Sequence, residues 1–146
     1  MKKEDVILIA EGDKRHYELI RKNLLRAGIC NKMLCLADGQ EIQNFLFDMD
    51  NGSKGEHDNQ EYILLLDLNI PGVDGVEVLE KIKKDTKLKK IPVIILTAAD
   101  DQDIIERCHD LGCSTYVVKP AKSEDFEETV QNIGHFLSVV EITSIK

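Results

Sequence analysis

The stretch from Leu64 to Gly75, Leu-Leu-Leu-Asp-Leu-Asn-Ile-Pro-Gly-Val-Asp-Gly, limits what this chain can fold into more than any other. A run of branched apolar residues long enough for a buried strand stops at Asp67, then passes through Pro71 and Gly72 before helical periodicity begins. Asp67 is therefore expected at the carboxyl end of a strand. In open parallel α/β sheets, ligands and chemistry collect at that end, because the loops diverge there and helix N-termini present positive dipole ends.

The rest of the chain repeats the pattern. Val6 to Ala10 reads as a buried strand, and Glu11-Gly12-Asp13 as an acidic turn whose Asp13 can cap a helix from Lys14 to Ala27, with Ile20, Leu24 and Ala27 on one face. Lys32 to Ala37 reads as a second strand, followed by a helix marked by Ile42, Phe45, Leu46 and Met49. Asp50 to Gln60 is a polar surface loop. After Asp67, Val76, Leu79 and Ile82 mark a third helix reaching Asp85, and a charged connection leads to a fourth strand, Ile91 to Thr97. A helix with Ile104, Ile105, Cys108 and Leu111 on its apolar face closes at Gly112. Ser114 to Val118 is the fifth strand, and Phe126, Val130, Ile133 and Leu137 mark the fifth helix. The residues from Ser138 to Lys146 form a weakly patterned tail.

Five strands alternating with five helices imply a parallel sheet covered on both faces. The expected fold is a flavodoxin-like (βα)5 three-layer sandwich with strand order 2-1-3-4-5. With 146 residues, of which 42% are hydrophobic, the chain is expected to form one domain, its core running from about residue 5 to 137.

Charge and composition remove several classes of function. A net charge of -8 opposes contact with phosphate backbones, so no nucleic-acid partner is expected. No apolar run approaches the roughly 18 to 20 residues of a membrane span, and the five apolar residues after Asp5 are too few for a signal peptide, so a cytoplasmic protein is expected. The pairs Cys30/Cys35 and Cys108/Cys113 have neither zinc-ribbon nor CxxC spacing and read as reduced structural thiols.

Glu11 and Asp13 follow the first strand, Asp67 the third, Thr97 ends the fourth and Lys119 follows the fifth. In the proposed order these ends converge on one crevice. Three carboxylates, a hydroxyl and a cation are the inventory needed to hold a hard divalent ion and a phosphoryl group together.

Leu65-Leu66-Asp67-Leu68-Asn69-Ile70-Pro71 through Asp74-Gly75, Ile95-Leu96-Thr97-Ala98 and Tyr116-Val117-Val118-Lys119-Pro120 resemble the three signature blocks of the response-regulator receiver domain, in matching order and spacing from Val6 to Leu137. The polar loop before Asp67, the phrase from Lys83 to Pro92 and Leu19-Ile20 resemble the single-domain subgroup that includes phytochrome-linked response regulators. The resemblance implies that Asp67 is a phosphoacceptor supplied by a sensor histidine kinase or phosphotransfer protein. It implies that Thr97 and Lys119 bind the phosphoryl group, that small Ala98 lets the loop close, and that Tyr116 is the aromatic switch. It further implies a Mg²⁺ ion held by the acidic turn, Asp67 and the backbone carbonyl of Asn69, and a cis peptide bond at Lys119-Pro120. Output to a downstream protein target, or homodimerisation, would use the face of the fourth helix, fifth strand and fifth helix. Such a protein is no enzyme beyond catalysing its own phosphorylation and dephosphorylation.

One departure matters. The family's acidic pair falls on positions 11 and 12, and position 12 is Gly. Either Glu11 reaches the ion, or flexible Gly12 lets the turn present Asp13 instead, or a carboxylate at position 11 binds through water and the site holds Mg²⁺ weakly. His16 stands where subgroup members commonly carry Asp, which removes a further negative charge and reads otherwise as an exposed residue of the first helical turn. The alternative is a degenerate receiver that binds proteins without phosphorylation. A dehalogenase-type phosphatase needs a second acid two residues after the nucleophile, where this chain has Asn69, and dinucleotide binding needs a GxGxxG that is absent after the first strand.

Overall fold

The computed structural model describes residues 1–48 and 60–139. The polar loop around residues 50 to 59, Met49 and the tail beyond Val139 lie outside the described residues. Elements follow in the order β1 (Val6–Ala10), α1 (Lys14–Arg26), β2 (Met33–Leu36), α2 (Gly39–Ile42), β3 (Tyr62–Leu66), α3 (Gly75–Lys84), β4 (Val93–Thr97), α4 (Gln102–Leu111), β5 (Thr115–Val118) and α5 (Ser123–Leu137). The strands form one parallel sheet of order β2-β1-β3-β4-β5, the expected flavodoxin-like order.

The near-continuous apolar strands follow from burial on both faces. Side chains alternate across the sheet, so Leu8, Leu64, Leu66 and Ile95 pack beneath α2, α3 and α4 with Ile42, Leu79, Ile82 and Cys108. Ile7, Ile9, Ile63, Leu65, Ile94 and Leu96 face the other way, onto Ile20 and Leu24 of α1 and Phe126, Val130, Ile133 and Leu137 of α5. Cys108 is a core residue, and the four cysteines are free thiols.

Three details differ from the sequence reading. The second helix is a single α-turn that widens into a π-helical turn over Gln43–Phe47. The connection after α3 contains a 3-10 turn, Leu88–Lys90, because Leu88 is buried and the Asp85 carboxylate accepts from the Lys87 and Leu88 N–H groups. β4 begins at Val93 rather than Ile91, since Pro92 has no N–H to give the ladder, although its carbonyl accepts from Leu64 at 2.9 Å.

The loop after β3 is fixed by close approach. Pro71-Gly72 turns with Gly72 at φ +84°, and the Pro71 carbonyl accepts from Gly39 N at 2.9 Å. Gly75 opens α3 directly against Leu68, where a Cβ would meet the Leu68 Cα and lie 2.8 Å from its carbonyl oxygen. Backbone cannot yield as a side-chain tip can, so Gly75→Ala is expected to lower stability by about 1–3 kcal/mol. Urea unfolding of the two proteins measures it, and an unchanged midpoint would show that the loop is not held this tightly.

Candidate functional site

β1, β3, β4 and β5 are neighbours, so their carboxyl ends deliver Glu11, Asp67, Thr97 and Lys119 to one crevice. Backbone hydrogen bonds carry the ladder just past the strands, with Asp67 N donating to Ala10 O at 3.0 Å and Lys119 N to Thr97 O at 2.7 Å. The functional side chains are therefore set by the sheet rather than by free loops.

Asp67, only 7% exposed, has a nearly full set of partners. Its Oδ1 accepts from the Thr97 hydroxyl at 2.7 Å and from Asn69 N at 2.9 Å, while Oδ2 accepts from Lys119 Nζ at 2.7 Å. Lys119 Nζ also donates to Glu11 Oε1 at 2.6 Å and lies 3.0 Å from His16 Nδ1. An ammonium has three protons and cannot accept, so Glu11, Asp67 and His16 take all three. Burial pushes the Asp67 carboxyl up, but Lys119, the Asn69 N–H and the Thr97 hydroxyl together bring it below the ordinary carboxylate range. Glu11 moves the other way, because burial and the charge of Asp67 outweigh the same ammonium.

The remaining expected residues divide. Tyr116 is half-buried, and its hydroxyl donates to Ala99 O at 2.7 Å, tying it to the loop after Thr97. Burial pushes its phenol up to about 12. Ala98 lines a cavity of about 380 Å³ beside Lys119, with His16, Leu19 and Phe126. The Asn69 side chain is exposed at the mouth. Asp13 caps α1, its Oδ1 accepting from Arg15 N at 2.8 Å and His16 N at 3.2 Å. No peptide bond among the described residues is cis, so Lys119-Pro120 is trans, contrary to the expectation. Trans is the intrinsically preferred isomer, and the long lysine side chain reaches both carboxylates from it.

Two features escaped the sequence reading. His16 is no mere exposed first-turn residue: it packs 5.6 Å from the Phe126 ring and reaches the Lys119 ammonium. The usable signal was spacing, since His16, Ile20 and Leu24 lie four apart on the buried side of α1. The second is the closure of position 12. A Cβ on Gly12 would run into Pro71 Cδ, with Pro71 Cγ at 2.9 Å and Ala37 O at 3.2 Å. A divalent ion would find two carboxylates already sharing an ammonium, no acid at position 12 and Asp13 committed to a helix cap. Among the described residues, no three His, Cys, Asp or Glu side chains come together to hold a metal. The residues present do not fit a three-carboxylate ion site.

A flavodoxin-like sheet whose strand ends bring an aspartate, a threonine and a lysine to one crevice defines the CheY-like class of fold. Residues 7–131 match the response regulator receiver domain, and the chain belongs to that family, the receivers of two-component signalling. A receiver domain structure from Rhodospirillum rubrum is 37% identical, with a TM-score of 0.89 over 95% of this chain and 97% of that one. Response regulator Rcp1 of Synechocystis sp. is 34% identical over 90% of this chain and 87% of its own length, and its Mn²⁺-bound structure superimposes with a TM-score of 0.84 over 96% and 99% of the two chains. The phosphorylated cyanobacterial phytochrome response regulator RcpA is 30% identical, with a TM-score of 0.83 over 97% of this chain and 99% of that one. No described helix is long and apolar enough to cross a membrane.

The opposite shifts of the two acids have opposite consequences for stability. Asp67 contributes stability above its ordinary value of 3.8, and that contribution is lost as pH falls through its lower folded value. Glu11 holds its proton more tightly when folded, so stability declines as pH rises from its ordinary 4.5 through its raised folded value. Glu11→Gln is expected to flatten that decline in urea midpoints measured across the interval. An unchanged slope would place the titration elsewhere.

Proposed function

We propose that this receiver accepts a phosphoryl group on Asp67 from the phosphohistidine of a sensor histidine kinase or phosphotransfer protein, and passes the signal on by protein contact. The observation that carries the reading is the Asp67 carboxylate held between the Thr97 hydroxyl and the Lys119 ammonium. Oδ1 has both lone pairs filled, by Thr97 and Asn69, whereas Oδ2 has one filled by Lys119. Oδ2 is thus the attacking atom: its bond to phosphorus forms as the phosphorus–nitrogen bond breaks and the imidazole leaves with the electron pair. The catalytic work is positioning and charge neutralisation, as in phosphoryl transfer generally.

A phosphoryl group adds about 1.5 to 2 negative charges at neutral pH and three acceptor oxygens. Thr97 and Lys119 then exchange a carboxylate oxygen for phosphoryl oxygens. Thr97 carries Ala98 and Ala99 with it, and the Ala99 carbonyl is the partner of the Tyr116 hydroxyl. The change is delivered to β5 and the flanking α4 and α5, where Val118 and Phe136 stand exposed for a target protein or a second copy of the chain.

Gly12 favours a second reading, a receiver that binds its partner without phosphorylation. The two separate on intact mass after incubation with phosphoramidate. One phosphoryl adduct is expected on the wild type and none on Asp67→Asn, and Lys119→Met is expected to react about 100-fold more slowly, the scale of losing one preorganised charge-stabilising donor. Absence of an adduct on the wild type under any condition would leave the binding-module reading standing.

A further inference from the structure

The family's divalent cation and the donor set of this chain disagree. Resting on the reading of Asp67 as phosphoacceptor, we propose that the Lys119 ammonium is the site's working cation, that His16 is the residue positioning it, and that phosphorylation of Asp67 is independent of divalent metal.

Three facts carry this. First, the ammonium is fully held, by Glu11 Oε1 at 2.6 Å, Asp67 Oδ2 at 2.7 Å and His16 Nδ1 at 3.0 Å, with only 6% of the lysine side chain exposed. Because Nδ1 accepts, the neutral His16 ring carries its proton on Nε2. Second, His16 is itself fixed: its backbone N–H is part of the Asp13 cap, and its ring packs by Phe126 in the wall of the cavity beside Lys119. Third, the missing acid has no room to return, since Pro71 and the Ala37 carbonyl fill the space beside Gly12. A divalent ion would have to share both carboxylates with the ammonium, at the open lone pair of Asp67 Oδ2 and at Glu11 Oε2, and would gain no third acid in exchange.

The ammonium also suits the reaction. Asp67 Oδ2 attacks phosphorus, the phosphorus–nitrogen bond breaks, and with phosphoramidate the already protonated nitrogen leaves as ammonia. Lys119 then shifts from Oδ2 to the new phosphoryl oxygens while Glu11 and His16 keep it at the site. Without His16 the ammonium has one fewer anchor, and its reach to the phosphoryl group loosens.

The test is a time course of intact mass with phosphoramidate, in EDTA and in Mg²⁺, on wild type, His16→Leu and His16→Asn. Mn²⁺ electron paramagnetic resonance reports metal binding, and urea unfolding checks the fold. Expected are wild-type rates within about twofold of each other in EDTA and Mg²⁺, and a free-ion Mn²⁺ spectrum in the presence of protein. His16→Leu should slow the reaction about tenfold in both conditions, the scale of one hydrogen bond to a charged group, and His16→Asn, which keeps an acceptor, should restore most of it. A wild-type reaction at least tenfold faster with Mg²⁺, or bound Mn²⁺, overturns metal independence while leaving Asp67 the acceptor. Equal rates for all three proteins overturn the role of His16. No adduct in either condition removes the acceptor reading itself, and this proposal with it.

Discussion

The ammonium of Lys119 is the interaction on which the rest of the site depends. Glu11 and Asp67 are both nearly buried, and two carboxylates that close together in a low-dielectric crevice cannot both stay ionised without a cation between them. A buried ion pair is a poor general source of stability, because desolvation consumes much of the Coulombic gain. Its value here is geometric. One charge, supplied from β5, fixes an acid from β1 and an acid from β3, and leaves Asp67 ionised with one lone pair free.

The sheet makes that arrangement possible. Alternating residues of each strand anchor to α1 and α5 on one side and to α2, α3 and α4 on the other, so the strands are packed from both faces and chemistry can be placed on their ends. The loops are then drawn in by close backbone contacts, Gly75 on Leu68, Gly39 on Pro71 and Gly12 against the Pro71 ring. The last of these ties the β1 loop to the β3 loop in a way that a side chain at position 12 would prevent. The absent acid is thus part of how the two loops pack rather than an isolated loss.

What could be read from sequence was what depends on pattern. Apolar runs ending in Glu11, Asp67, Thr97 and Lys119 mark the strands, because burial on two faces leaves an unbroken apolar signature, and the flavodoxin-like order expected for a chain of this size then brings their ends into one crevice. The helical spacing of Cys108 alone puts it in the core, where it lies. What could not be read depends on which atoms meet across the fold. Asp13 was equally suited to a metal or to a helix cap, and only the direction of the β1 turn decides for the cap. His16 looked peripheral because its partner lies 103 residues away. The resemblance implies a cis Lys119-Pro120 bond, and the bond is trans. The π-helical turn after Gly39–Ile42 leaves no mark on a periodicity that both helix types share over so few residues.

In the proposed function a single lysine holds the acceptor before transfer and the phosphoryl group after it. The most direct measurement is the ¹⁵N resonance of the Lys119 ammonium by NMR, with through-bond couplings to its acceptors, in the unphosphorylated protein. Expected is a slowly exchanging NH3⁺ signal with couplings to the carboxylates of both Glu11 and Asp67, lost in Glu11→Gln and Asp67→Asn respectively. A rapidly exchanging ammonium with no coupling to either acid would contradict it.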